Sequence, residues 1–185
     1  MNSFLDKIFH KLRFKKILKY IPKDSFVFDI GCGEKADFLR SISPLVKKGI
    51  GLDGKVENYK DAKLELKKFR IQKELPIQDE SCDVVLMMAV LEHLSFPQEA
   101  LNECFRCLKK EGKMIITVPA PSARPILEFL AFKLKLIDRN EVSDHKNYFR
   151  PKDLKQMLAI AGFNKDKIES RFFEFRFNIL IVASK

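Results

Sequence analysis

Tryptophan is absent from the 185 residues, and histidine occurs three times, cysteine four, glycine seven and proline eight. So little glycine and proline excludes collagen-like and low-complexity architectures. Cys32, Cys82, Cys104 and Cys107 lack the spacing of a disulfide framework. Cys104-x-x-Cys107 lies in a helical pattern with no second Cys or His pair, so a zinc site is not expected there. With histidine this sparse and no clustering of acids, no metal is expected anywhere in the chain. No apolar run approaches the ~20 residues that cross a bilayer. The longest, Val84 to Leu91, is strand-like, and no cleavable signal pattern precedes it. A cytoplasmic protein that does not span a membrane is the expectation.

What is present fits a globular chain. Hydrophobic residues make up 46% and charged residues 32% of 21.5 kDa, enough for one well-buried core, so a single domain over residues 1–185 is expected. The net charge of +10 favours anionic partners such as nucleic acid, a membrane surface or a phosphorylated substrate, or it reflects a lysine-solvated surface.

Residues 1–24 carry Lys7, Lys11, Arg13, Lys15, Lys16 and Lys19 among apolar positions. At about 100° per residue, Phe4, Leu5, Ile8, Phe9 and Leu12 share one face while Phe14, Ile17, Leu18 and Ile21 fall nearly opposite. Two short helices, or one kinked near Arg13, are predicted. They either lie over the ligand site and pack on the sheet or serve as a peripheral membrane or RNA contact. The first use is favoured, because the two faces do not form one continuous lipid-facing stripe.

The stretch from Phe26 to Asp53 organises the rest. Phe26, Val27, Phe28 and Ile30 form an apolar run that ends in Gly31-Cys32-Gly33, and helical spacing follows through Ala36, Phe38, Leu39 and Ile42. Strand, glycine turn and helix in this order cradle a nucleotide at the carboxyl end of a parallel strand. Asp53 lies 24 residues after Asp29, close to the spacing that sets an acid on the next strand against a ribose.

Beyond Asp53, a stunted helix is predicted within Lys60 to Leu66 and a third strand near Phe69 to Ile71. Cys82 to Met88 reads as a central strand buried on both faces. Pro97 opens a helix through Ala100, Leu101, Cys104 and Leu108 that Gly112 closes, and Lys113 to Pro119 forms a fifth strand. Ile126 to Ile137 is a helix apolar on most sides, within an acceptor-side insert at 119–149. Pro151 starts a last helix with Gly162 as its C-cap, and two strands, roughly Lys167 to Phe172 and Glu174 to Ala183, finish the chain.

Taken in order, Asp29-Ile-Gly31-Cys32-Gly33, Asp53, Leu75-Pro-Ile-Gln-Asp-Glu-Ser-Cys-Asp-Val-Val-Leu86, Val90-Leu-Glu-His-Leu94 and Leu108-Lys-Lys-Glu-Gly-Lys113 resemble the class I S-adenosylmethionine-dependent methyltransferases. The likeness runs from about Phe26 to Gly162. It implies an α/β fold, a Rossmann-like doubly wound seven-stranded sheet of order 3-2-1-4-5-7-6 with strand 7 antiparallel and helices on both faces. The implied cofactor is S-adenosylmethionine, leaving as S-adenosylhomocysteine. Asp29, Gly31, Cys32 and Gly33 would line its methionine portion, Asp53 its ribose with Gly54 turning over the adenosine, Gln72 its adenine, and Met88 and Ala89 its amino-acid group. Lys35 stands where many members carry another glycine, and Ile71 where many carry an acid or amide.

Methyl transfer asks mainly for orientation of the acceptor and exclusion of water. A hydroxyl acceptor also needs a base, for which His93 and His145 are the candidates, each with a packing or anchoring role as the alternative. Met87-Met88-Ala89 replaces the Asn- or Asp-Pro-Pro-aromatic segment of many amino-methylating enzymes. The expected acceptor is therefore a small molecule, lipid or glycan precursor methylated on oxygen or carbon. The alternatives are an RNA-binding or RNA-modifying protein using the basic N-terminal segment, and a cofactor-binding scaffold without turnover, prompted by Lys35 and Ile71. Oligomeric state is not legible.

Overall fold

The computed structural model describes residues 12–123, 125, 147–174 and 176–185. Its centre is β1 (Phe26–Ile30), buried along four of five residues. Alternate side chains enter different cores, Val27 on one face and Phe28 and Ile30 on the other, as a two-sided parallel strand requires. β2 (Lys48–Asp53) and β5 (Cys82–Met88) pair with it in parallel on either side. The whole order is β3-β4-β2-β1-β5-β6-β8-β7. β6 is Leu108–Pro119, β7 Ile168–Phe173 and β8 Asn178–Ser184. β8 runs antiparallel to both of its neighbours.

Without β3, the order is the expected 3-2-1-4-5-7-6 with the last strand reversed. β3 (Tyr59–Lys60) is an additional two-residue strand antiparallel to β4, so the sheet has eight strands rather than seven. The third long strand also stands elsewhere than expected. It is β4, Leu64–Lys68, where the sequence suggested a stunted helix, and 69–71 is not a strand. Burial alternates along β4, with Leu64 and Leu66 inside and Glu65 and Lys67 partly out. That period of two outweighs a helical reading of so short a run. Asp61 starts the strand by accepting from the backbone N–H groups of Lys63 and Leu64, both through Oδ1 at 2.8 and 2.7 Å.

Among the described residues the two faces are covered by α1 (12–18), α2 (Asp37–Ile42), α3 (Pro97–Cys107) and α4 (Pro151–Ala161). On one face Ile17 of α1 and Phe38, Leu39 and Ile42 of α2 pack with Val27, Val84, Leu86, Ile115, Leu180 and Val182. The Phe14 and Phe38 rings stand 4.6 Å apart. Full burial of a side chain such as Ile17 contributes about 1.5–3 kcal/mol, which holds α1 to the sheet while Leu12 and Leu18 stay exposed. On the other face α3 and α4 pack together. The Phe105 ring meets Phe163 edge-on at 5.0 Å, beside Gly162, the left-handed C-cap of α4.

α3 ends at Cys107, and β6 begins at Leu108 rather than at Lys113. Gly112 therefore does not close the helix. It lies in the irregular start of β6, where pairing with β5 shifts register between Cys82 and Val84 and Glu111 adopts φ 61°. The expected helix Ile126 to Ile137, most of the 119–149 insert and the first eleven residues lie outside the described residues. Among the described residues no helix is long and apolar enough to cross a membrane.

Candidate cofactor site

The carboxyl ends of β1, β2 and β5 meet at the glycine turn. Gly31 and Gly33 have φ of 74° and 77°, values that side chains resist. The Gly31 and Cys32 amides both donate to the Leu52 carbonyl, at 2.7 and 3.1 Å, binding the turn to the end of β2. Two residues are small for packing reasons. A Cβ on Gly31 would lie 2.2 Å from Val90 Cγ2, and one on Gly51 would lie 2.9 Å from Cys32 Sγ. The Cys32 side chain is turned into the core, so only its backbone faces a ligand. Around Gly33 nothing stands within 4 Å of the Cβ position. That open face is where backbone can approach a bound molecule.

Asp53 sits at the mouth. Its Oδ2 accepts from the Gly33 amide at 3.0 Å and its Oδ1 from the Lys55 amide at 2.8 Å. Gly54 between them has open space at its Cβ position. Asp29 lies beneath, fully buried, with no hydrogen-bond partner for either carboxylate oxygen among the described residues. Burial, and secondarily the Asp53 charge, push its pKa up to about 7. A buried, unpaired carboxyl under a glycine turn, with open backbone beside it and a second acid at the rim, fits a cationic ligand carrying a ribose.

Lys35 is exposed. With Arg40, Lys55 and Tyr59 it lines a cavity of about 390 Å³, and its carbonyl accepts from Arg40 Nε at 3.0 Å. The turn closes instead on Ala36, which takes φ 49° as the N-cap of α2.

Residues 1–168 match the family described as a methyltransferase domain. The chain belongs to the class I S-adenosylmethionine-dependent methyltransferases. A ubiquinone biosynthesis O-methyltransferase of Psychrobacter arcticus is 26% identical over 159 residues, covering 77% of this chain and 60% of that protein. An uncharacterized protein of Methanocaldococcus jannaschii is 33% identical over 144 residues, covering 76% and 56%. The chain thus spans little more than half the length of these two relatives. Among solved structures, a SAM-dependent methyltransferase from Archaeoglobus fulgidus superposes with a TM-score of 0.68 at 19% identity, covering 95% of this chain and 94% of that one. The putative methyltransferase solved with the Haloferax volcanii Trm112 activator gives 0.68 at 16%, covering 100% and 98%. Both of these likenesses are of fold.

The remaining residues picked from sequence are placed less uniformly in the methyltransferase domain. Met88 ends β5 and Ala89 follows it, both half-buried, and Ala89, at φ 55°, donates its amide to the Thr117 carbonyl at 2.8 Å. A ligand there would use the Ala89 carbonyl rather than its amide. Ile71 is half-buried against the core, and Gln72 beside it is exposed. His93 is half-buried in the 3-10 turn Leu91–His93 directly after β5. His145 lies outside the described residues. The cysteines are free and buried, and burial pushes the Cys107 thiol up to about 12, which keeps it from thiolate chemistry.

Sequence reasoning passed over a polar group beside the cradle. Glu92 is 1% exposed, and burial raises its pKa to about 7 although the Arg13 charge opposes the shift. Burial also raises the pKa of Glu174, likewise opposed by Arg13. A glutamate between Leu91 and His93 carries no spacing signal. The turn is held by residue 147, whose amide donates to the Glu92 carbonyl at 3.1 Å.

Proposed function

We propose that this chain transfers a methyl group from S-adenosylmethionine to a small-molecule, lipid or glycan-precursor acceptor, on oxygen or carbon. The observation that carries the reading is Asp53, set at the end of β2 against the glycine turn with both oxygens on backbone amides of the two loops that would flank a ribose. Asp29, Gly31, Cys32 and Gly33 receive the methionine portion, Asp53 and Gly54 the ribose, Gln72 the adenine edge, and Met88 and Ala89 the amino-acid group. Bound there, the cofactor supplies a methyl group on a sulfonium centre, already an excellent leaving group. The chain's own task is to hold the acceptor in line and keep water out.

Asp29 meets the cofactor's positive charge from below. His93, one turn beyond the end of β5, takes the proton of a hydroxyl acceptor, with His145 as the second base. The likeness to ubiquinone biosynthesis O-methyltransferases supports oxygen as the acceptor atom.

Calorimetric titration with S-adenosylhomocysteine, followed by transfer of labelled methyl groups into a metabolite extract with the product identified by mass, tests the reading. Binding that depends on Asp53 and a labelled small-molecule product are expected. No binding, or labelled RNA as the sole product, would remove it.

A further inference from the structure

Four side chains that the cradle does not use gather beside it on the sheet face covered by α1. Thr117 of β6 stands opposite Leu180, and Pro119 opposite Asn178, so Thr117 and Asn178 share that face as diagonal neighbours. Asn178 Nδ2 donates to Glu174 Oε2, which brings the turn after β7 to the same place. The Arg13 guanidinium of α1 acts on both Glu174 and Glu92, and Glu92 stands two residues past Val90, the side chain that closes against Gly31.

Each of the four ends in a buried polar atom with no hydrogen-bond partner among the described residues: Arg13 Nε, Glu92 Oε2, Thr117 Oγ1 and Glu174 Oε1. Glu92 and Thr117 are both 1% exposed, and Arg13 and Glu174 are half-buried. Buried polar atoms are ordinarily paired, so four orphans in one neighbourhood describe an arrangement that a ligand completes.

We propose that Arg13, Glu92, Thr117 and Glu174 form an acceptor subsite for an uncharged vicinal diol, of a sugar or a catechol, and that it turns away phosphate and carboxylate groups. The inference rests on the methyltransferase reading above. A hydroxyl both donates and accepts, so adjacent hydroxyls can donate to Glu92 and Glu174 while accepting from Arg13 and Thr117. An anion would face two carboxylates across a single guanidinium. The selectivity is opposite to what the net charge of +10 suggests for the protein surface.

Saturation-transfer NMR on the full chain with excess S-adenosylhomocysteine tests it, using catechol, methyl glucoside, 3,4-dihydroxybenzoate and glucose 6-phosphate as probes. At least one neutral diol should bind at least tenfold more tightly than its charged counterpart. Its affinity should fall at least tenfold in Glu92→Gln and severalfold in the shape-conserving Thr117→Val, while both variants keep the S-adenosylhomocysteine affinity of the parent. No neutral diol bound, charged probes bound as well as neutral ones, or binding indifferent to both substitutions would overturn the subsite. Failure of the parent to bind S-adenosylhomocysteine would strike the cofactor reading instead, and the same diol titrations run without it would still decide the subsite.

Discussion

The Gly33 amide donates to Asp53 Oδ2 at 3.0 Å, so the turn after β1 and the end of β2 are joined through the acid expected to hold a ribose. Hydrogen bonds to a charged group contribute about 1.5–3 kcal/mol. Asp53→Ala should therefore weaken S-adenosylhomocysteine binding by roughly tenfold to a hundredfold, with little change in unfolding midpoint because the clasp is exposed. Calorimetry beside thermal denaturation checks both halves.

Asp29 and Glu92 are acids whose folded pKa values are raised by burial to about 7. Between their unfolded values and about pH 7, the folded state binds more protons than the unfolded one. Stability should then fall as pH rises through that window, by up to about 1.4 kcal/mol per pH unit for each group. Urea titrations from pH 4 to 8 should show the decline, and the double variant Asp29→Asn, Glu92→Gln should flatten it.

A cationic ligand over Asp29 favours the ionised carboxyl. S-adenosylmethionine affinity should increase from pH 5.5 to 7.5 and then level, with a proton released on binding below pH 7. Calorimetry in buffers of different ionisation enthalpy measures that proton. Asp29→Asn should remove both the release and the pH dependence.

The two glycines of the turn should fail differently when given a methyl group. Gly31→Ala drives a Cβ into Val90 and should cost roughly 2 kcal/mol or more of stability, part of it restored by Val90→Ala. Gly33→Ala meets open space, so only its left-handed backbone resists, at about 1 kcal/mol. Its larger effect should be on cofactor affinity.

Arg106 fastens the 75–81 loop to α3. It pairs with both Glu103 oxygens, with Asp79, and with the carbonyls of Leu75 and Ile77, and its hydrogen bonds hold the Glu103 carboxyl below its ordinary pKa. Arg106→Lys, which loses the planar fork, should destabilise by about 1–3 kcal/mol. Amide exchange should rise first in residues 75–81.

β1, β5 and α3 were legible because their patterns are long or continuous. Val84 to Met87 can only be a strand buried on both sides, and Pro97 marks its helix start without help from tertiary structure. β4 was not. Leu64-Glu65-Leu66-Lys67-Lys68 is short and rich in charge, and near the sheet edge pairing with β2 decides what its own residues do not. The cradle residues were readable because glycine and aspartate have backbone reasons to stand where they do. Glu92 was not, because nothing in its local sequence says that this charged side chain will be buried.

The helix α1 rests on a face that includes Leu180 and Val182 of β8. The strand joins the sheet between β6 and β7, and both its neighbours precede it in the chain. During synthesis, Ile17 leaves the ribosome well before residues 178–184, which supply part of its seat. The glycine cradle, built from residues 26–53 and 82–90, can close well before then. The face on which α1 rests is thus completed only when β8 joins the sheet, after every strand that carries the glycine turn and Asp53 has been made.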